Sequence, residues 1–222
     1  LITRVNQGEG RVLDVGCGQG AWLSVWKERG VGDVTGIDGQ YVDRSCLLIS
    51  STEFVAHNLA EPFDLQRRYD LVVSMEVAEH LPIECSESFV SSLVSHGDLV
   101  LFSAAPRGQG GHNHINEQDY DFWRKLFAEH AYVPIDYLRP QLMNKLEVEP
   151  WYRYNAVLYA SVESLIRLPD VVRVCRIAED AEIKDVSPYI YRFRKSLVRL
   201  LPVSIMTRIA QMKEKLSVGK DS

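Results

Sequence analysis

Cysteine is scarce in this chain. Its 222 residues hold four, Cys17, Cys46, Cys85 and Cys175, far apart and with no C-x-x-C pair. That excludes a zinc knuckle or a disulfide scaffold and fits the reduced thiols of a cytoplasmic enzyme. No run approaches 18 uncharged apolar residues, so no spanning helix is expected. An excess of positive charge is missing too: the net charge is −5, which gives no support for a nucleic-acid partner. There is no internal repeat, no low-complexity segment, no initiator methionine and no signal-like start, as in a fragment of a longer chain. The charge is unevenly placed. Residues 187–222 carry eight Lys/Arg against Glu214 and Asp221, a local +6 that leaves −11 on the first 186 residues.

Short β-branched runs alternate with helical stretches, the pattern of βαβ units and a parallel sheet. Strands are predicted near 11–15, 33–37, 52–56, 69–74, 98–103, 132–138 and 153–161, and helices near 20–29, 40–49, 84–95, 117–131 and most of 187–216. The expected fold class is α/β: a Rossmann-like, seven-stranded, mostly parallel sheet with helices on both faces and a C-terminal helical tail. The division is a domain over 1–162 and a basic helical extension over 163–222, with the acidic stretch 179–185 read as a linker.

The strongest local signal is Asp14-Val15-Gly16-Cys17-Gly18-Gln19-Gly20, a buried strand running into glycines and then a helix. Glycines let backbone approach a ligand, and a helix N-terminus presents unpaired N–H groups to it. Alone the loop is weak evidence, its other reading being a tight turn. Asp38 follows 18 residues after Gly20, at the end of the second strand, where a carboxylate can take both ribose hydroxyls. Together they point to a nucleoside-bearing cofactor. The spacing departs from G-x-G-x-x-G, and Asp14 would repel a pyrophosphate but suits a cationic aminoacyl group.

Here the sequence resembles the class I S-adenosylmethionine-dependent methyltransferases. The resemblance runs through DVGCGQG, Asn58-Leu59, Tyr69 to Val73, Glu76-Val77-Ala78-Glu79-His80-Leu81-Pro82, Gly108-Gln109-Gly110-Gly111, His114-Ile115-Asn116-Glu117-Gln118 and Trp151-Tyr152-Arg153-Tyr154-Asn155. It implies S-adenosylmethionine as cofactor, with S-adenosylhomocysteine as product. It implies that Gly16, Cys17, Gly18 and Gly20 line the methionine moiety and Asp14 acts near its amino group. Asp38 would hold the ribose, Asn58 and Leu59 the adenine, and Met75 and Glu76 would flank the sulfonium. Asn58 stands where such enzymes often carry Asp. The GQGG, H-x-N-E-Q and W-Y-R-x-N strings resemble a bacterial subgroup found with glycan and natural-product assembly, which implies O-methylation of a sugar hydroxyl or a small-molecule acceptor.

Methyl transfer to a hydroxyl needs an aligned acceptor and a group to take its proton. Two loops at the carboxyl edge of the sheet offer candidates: Glu76, Glu79 and His80 in one, and Gln109, His112, His114, Asn116 and Glu117 in the other. His114, after the Gly110-Gly111 turn, is the leading general base; His112 and His80 are alternatives. Glu76, Glu79, His80 and His114 also suit a metal. That set resembles the site of small-RNA 2′-O-methyltransferases, although no metal is the first expectation. A non-catalytic cofactor-binding scaffold is the reading from a different class. Trp123 and Phe127 are expected in the core, and the aromatics of 151–155 are expected either as core at a strand start or as walls for a ring acceptor. From Leu197, apolar positions recur at three or four residues among Arg199, Arg208, Lys213 and Lys215. Such a basic amphipathic helix over 187–216 would pack on the body, on a second subunit, or on an anionic membrane at its inner face.

Overall fold

The computed structural model describes residues 10–202 together with 205, 207, 208, 211 and 212. Seven strands form one sheet: β1 (Arg11–Val15), β2 (Asp33–Asp38), β3 (Phe54–Ala56), β4 (Leu71–Met75), β5 (Leu99–Ser103), β6 (Tyr132–Ile135) and β7 (Val157–Ser161), in the order β3-β2-β1-β4-β5-β7-β6. The first five pair in parallel, with Val12 opposite Val34 and Leu71, and Met75 opposite Ser103. β7 enters antiparallel between β5 and β6. The expected seven-stranded, mostly parallel sheet is therefore present.

Alternation along each strand divides the core between two faces, because successive side chains point to opposite sides. Leu13, Val100, Phe102, Val157 and Tyr159 meet α2 (Ser86–Ser95) and α3 (Tyr120–Glu129), which contribute Phe89, Leu93, Trp123 and Phe127. On the other face Val12, Val34, Leu99 and Ala160 meet Leu23 of α1 (Ala21–Glu28) and Leu168. Trp123 and Phe127 lie in the core as expected, and the Phe127 ring stacks on Tyr159 at 3.9 Å between centroids.

Several predicted elements change. Residues 40–49 form no α-helix; one 3₁₀ turn, Arg44–Cys46, is capped by Asp43, whose carboxylate accepts from the Ser45 N–H. Asp and Ser stabilise turns by such local bonds at the expense of helix. The last strand starts at Val157 rather than 153, because Pro150 opens a short helix, α5 (Pro150–Asn155), after α4 (Arg139–Leu142). α3 starts at Tyr120, not 117, since the Asn116 and Gln118 side chains are tied into buried bonds: Asn116 donates to Ser86 Oγ at 3.0 Å and Gln118 to Asn116 Oδ1 at 3.0 Å. The segment 179–185 is no free linker. Ile183 is buried, and the buried Arg139 donates to Lys184 O at 2.9 Å while chelating Asp136 at 2.7 and 2.8 Å. After α6 (Asp170–Arg173) the tail forms α7 (Tyr189–Val198), which ends before Pro202. Ile209, Lys213, Lys215 and Leu216 lie outside the described residues. Among the described residues no helix is long and apolar enough to cross a membrane.

Phe127→Ala empties a fully buried aromatic site against Phe102 and Tyr159. A loss of about 3–5 kcal/mol of unfolding free energy is expected in a urea titration. A loss under ~1 kcal/mol would show that this face of the core is not packed as described.

Candidate active site

The glycine loop is shaped by backbone requirements. Gly16 sits at φ +83°, and a Cβ there would fall 2.3 Å from Val77 Cγ2. A side chain would be strained by its backbone and would collide as well. The loop is gripped by Asp38: Oδ2 accepts from Gly18 N–H at 2.7 Å, and Oδ1 accepts from Gly39 N–H at 2.6 Å and from the Tyr41 hydroxyl at 2.5 Å. Asp14 is the opposite case. It is buried, its Oδ2 has no hydrogen-bond partner, and burial followed by the charge of Asp38 pushes its carboxyl up to about 7. Burial, Asp14 and Asp38 also push the Cys17 thiol up. Gly16, Asp38, Tyr41, Asn58, Leu59 and Val77 line a cavity of about 560 Å³. Asn58 is held in a turn, its Oδ1 accepting from Ala60 N–H at 3.2 Å and its amide donating to Glu61 at 3.0 Å. Cys17 and Met75 pack with the core and do not line this cavity.

The second constellation hangs on the ends of β4 and β5. Glu76 takes a left-handed conformation, φ +56°, and its N–H donates to Ser103 O at 3.0 Å. Its carboxylate accepts from Gln109 Nε2 at 2.7 Å and Asn155 Nδ2 at 3.1 Å, and Tyr120 donates to Asn155 Oδ1 at 2.9 Å. Glu79 beside it is fully buried with both carboxylate oxygens unpartnered; burial, then the charge of Glu76, holds its pKa well above the ordinary range. Glu117 organises the glycine-rich loop, accepting from Gly108 N–H at 2.8 Å, Gly110 N–H at 2.6 Å and His114 Nδ1 at 3.0 Å. That bond assigns the proton to Nδ1 and leaves Nε2 of His114 as the basic nitrogen. His80 meets the His114 ring edge-on at 4.9 Å, and burial followed by His114 lowers its pKa. Glu79, His80 and His114 offer ligand atoms within 4.8 Å of one another.

A larger cavity of about 610 Å³ is lined by Glu76, Glu79, His80, Gln109 and His114 on one side. Trp151, Tyr154 and Asn155 of α5 and Tyr191, Arg194 and Lys195 of α7 form the other. Glu76 and His80 line both cavities and stand between the two spaces. His112 is exposed, lies 3.3 Å from Gln211 and lines neither cavity, although its charge reaches His80 at the rim of the site. The contributions of Tyr41, Tyr120, Asn155 and α7 went unseen in the sequence. The aromatic run at 151–155 marked Asn155's neighbourhood; nothing marked Tyr41.

A family model described as a methyltransferase domain matches residues 1–138. The chain belongs to the class I S-adenosylmethionine-dependent methyltransferases. The methyltransferase domain of a bacterial Hen1, CtHen1-C, superposes with a TM-score of 0.51 at 17% identity, covering 72% of this methyltransferase and 94% of that chain. Magnesium protoporphyrin IX methyltransferase from Synechocystis PCC 6803, with bound S-adenosylmethionine, gives 0.50 at 17% identity, covering 72% and 76%. A search of curated protein sequences found no match. At these identities the neighbours speak for the fold. The residues of this methyltransferase fit the family cofactor on their own evidence: Asp14 Oδ2 is an orphaned acceptor, and a Cβ on Gly18 would meet only open space.

Asp14 gives a pH signature. Its folded-state pKa near 7 exceeds the ordinary 3.8, so the folded chain holds the proton more tightly than the unfolded chain. Stability contributed by this group therefore falls as pH rises from about 4 to about 7 and stays lost above that. Asp14→Asn removes the titration and should gain ~2–4 kcal/mol on the wild type between pH 4 and pH 8 in denaturant titrations. Parallel pH profiles for the two proteins would contradict the buried, unpartnered carboxyl.

Proposed function

We propose that this methyltransferase methylates a hydroxyl of a sugar-containing or other small-molecule acceptor in the 610 Å³ cavity, with His114 as general base. The observation that supports it most is that Glu76 and His80 border both cavities, with the His114–Glu117 pair on the acceptor side. S-adenosylmethionine supplies the electrophilic methyl group on a sulfonium when bound. The chain has only to hold cofactor and acceptor, exclude water and receive a proton. Asp38 is the ribose acceptor, for which Tyr41 must yield its place on Oδ1. Asp14, ionised by a cationic neighbour, is the partner of the amino group. Glu76, fixed by Gln109 and Asn155, borders the reacting centre. His114 Nε2 takes the acceptor's proton while Glu117 stabilises the imidazolium that results. Trp151, Tyr154 and Tyr191 offer faces on which a sugar ring can stack. This reading agrees with the glycan-associated, O-methylating subgroup and with a cytoplasmic setting.

One specific observation favours a second reading, the clustering of Glu79, His80 and His114 with Glu79 unpartnered. A divalent cation held there would replace His114 as the agent that lowers the acceptor's proton affinity. The RNA acceptor that goes with this arrangement elsewhere is opposed by the −11 charge of the body. A scaffold without turnover is opposed by two buried, unpartnered carboxyls, a cost that a purely structural domain would shed.

Asp38→Ala should weaken S-adenosylhomocysteine by roughly 1.5–3 kcal/mol in calorimetry, since charge-assisted hydrogen bonds disappear. Unchanged affinity in the folded variant would remove the ribose assignment.

His114→Ala should lower turnover about 10²–10⁴-fold with S-adenosylhomocysteine affinity kept, read as S-adenosylhomocysteine production against a panel of nucleotide sugars and glycans. A wild-type rate would exclude His114 as base. Loss of wild-type activity with a chelator and its return with a divalent ion would put the cation reading in its place.

A further inference from the structure

The amphipathic tail does not sit as an amphipathic helix on a core usually does. α7 meets the body through Tyr191, Lys195 and Val198, its less exposed positions, and through polar contacts: Lys195 pairs with Asp185 at 2.5 Å, Arg194 donates to Gln109 O at 3.0 Å, and Arg199 reaches Arg107 O and Asp119 at 3.3 Å. The contact is close, since a Cβ on Gly108 would lie 2.1 Å from the Lys195 carbonyl oxygen. The apolar side is left in solvent. Ile190 is 72% exposed, Phe193 and Leu197 53% each, and Leu200 80%. At 100° per residue the first three share one stripe, which Tyr189 borders and Leu200 continues past the helix end. The inward side of the same helix, through Tyr191, Arg194 and Lys195, forms a wall of the 610 Å³ cavity.

We propose that this stripe docks on an anionic phospholipid surface, with α7 standing between that surface and the acceptor cavity. Charge selects this occupant. The stripe belongs to a segment with a formal balance of +6 over 187–222; Lys195 and Arg199 are paired with Asp185 and Asp119, while Arg192 and Arg208 are exposed among the described residues. An anionic leaflet attracts that segment and repels the −11 body, so attraction and orientation come from the same distribution. A second copy of this chain is the poorer occupant: an isologous contact through the stripe would set two +6 segments against each other. Exposed aromatic and aliphatic groups beside arginines are what an interfacial helix inserts and keeps at the headgroups. The docking stands without the methyl-transfer reading.

The test is flotation of the full chain with phosphatidylcholine vesicles, neutral or carrying about 30 mol % phosphatidylglycerol. Roughly tenfold or more enrichment on the anionic vesicles is expected, falling at about 0.5 M salt. The double variant Phe193→Glu, Leu197→Glu should lose flotation while its thermal unfolding and S-adenosylhomocysteine binding stay unchanged, since both positions are exposed and outside the cavities. No flotation by the wild type, equal flotation on neutral vesicles, or equal flotation by the variant would overturn the proposal. So would a concentration-dependent dimer in sedimentation that the variant abolishes, which would make the stripe a contact between copies. Flotation uses no methyl transfer, so its failure leaves the chemistry untouched, and the absence of turnover on any acceptor leaves the docking untouched.

Discussion

Parallel pairing of β2, β1, β4 and β5 governs where chemistry can occur in this methyltransferase. In a parallel sheet each strand must be followed by a return crossover, so the carboxyl ends of all four strands open on one edge. Val15, Asp38, Met75 and Ser103 end those strands. The polar groups that follow them, the glycine loop, Asp38, Glu76 and the 106–117 loop, therefore converge although they are scattered over 100 residues. The antiparallel β7 brings α5, immediately before it, to the same edge, which is how Asn155 comes to hold Glu76.

The site contrasts two satisfied carboxylates with two that are not. Asp38 and Glu76 each accept two or more hydrogen bonds from groups fixed by backbone or by a buried network. Asp14, with Oδ2 unpartnered, and Glu79, with both oxygens unpartnered, are buried, and each is pushed toward its neutral form by burial and by its satisfied neighbour. Such pairs are costly to the fold and useful to a cationic ligand, which restores the charge of the buried member. The first pair lies at the loop read as the methionine cradle, the second beside the two histidines.

Much of this was legible in the sequence, and the reasons differ from element to element. The parallel strands are continuous β-branched runs buried on both sides, so RVLDV and LVVSM declare themselves without periodicity. The Gly16–Gly20 loop and Asp38 were readable because close backbone approach and a strand-end acid, 18 residues apart, are both demands of a bound nucleoside. His114 could be singled out, but its orientation by Glu117 depends on a loop closing on itself, which no spacing reports. Tyr41 was hidden by a helical reading of 40–49 that Asp43 and Ser45 defeat through local bonds. The tail misled most: its periodicity was plain, yet Ile190, Phe193, Leu197 and Leu200 stay exposed, and α7 is fastened to the body by polar bonds to Asp185, Gln109 and Asp119.

We propose centrally that the glycine loop, with Asp14 on β1 before it and Asp38 at the end of β2 beside it, is the cradle of a cationic aminoacyl nucleoside. Calorimetric titration with S-adenosylhomocysteine, repeated in buffers of different ionisation enthalpy, tests it most directly. Saturable binding is expected, with release of close to one proton at about pH 6, falling toward none above about pH 8, as the ammonium group ionises Asp14. Absence of binding, or binding with no proton release at either pH, would contradict it.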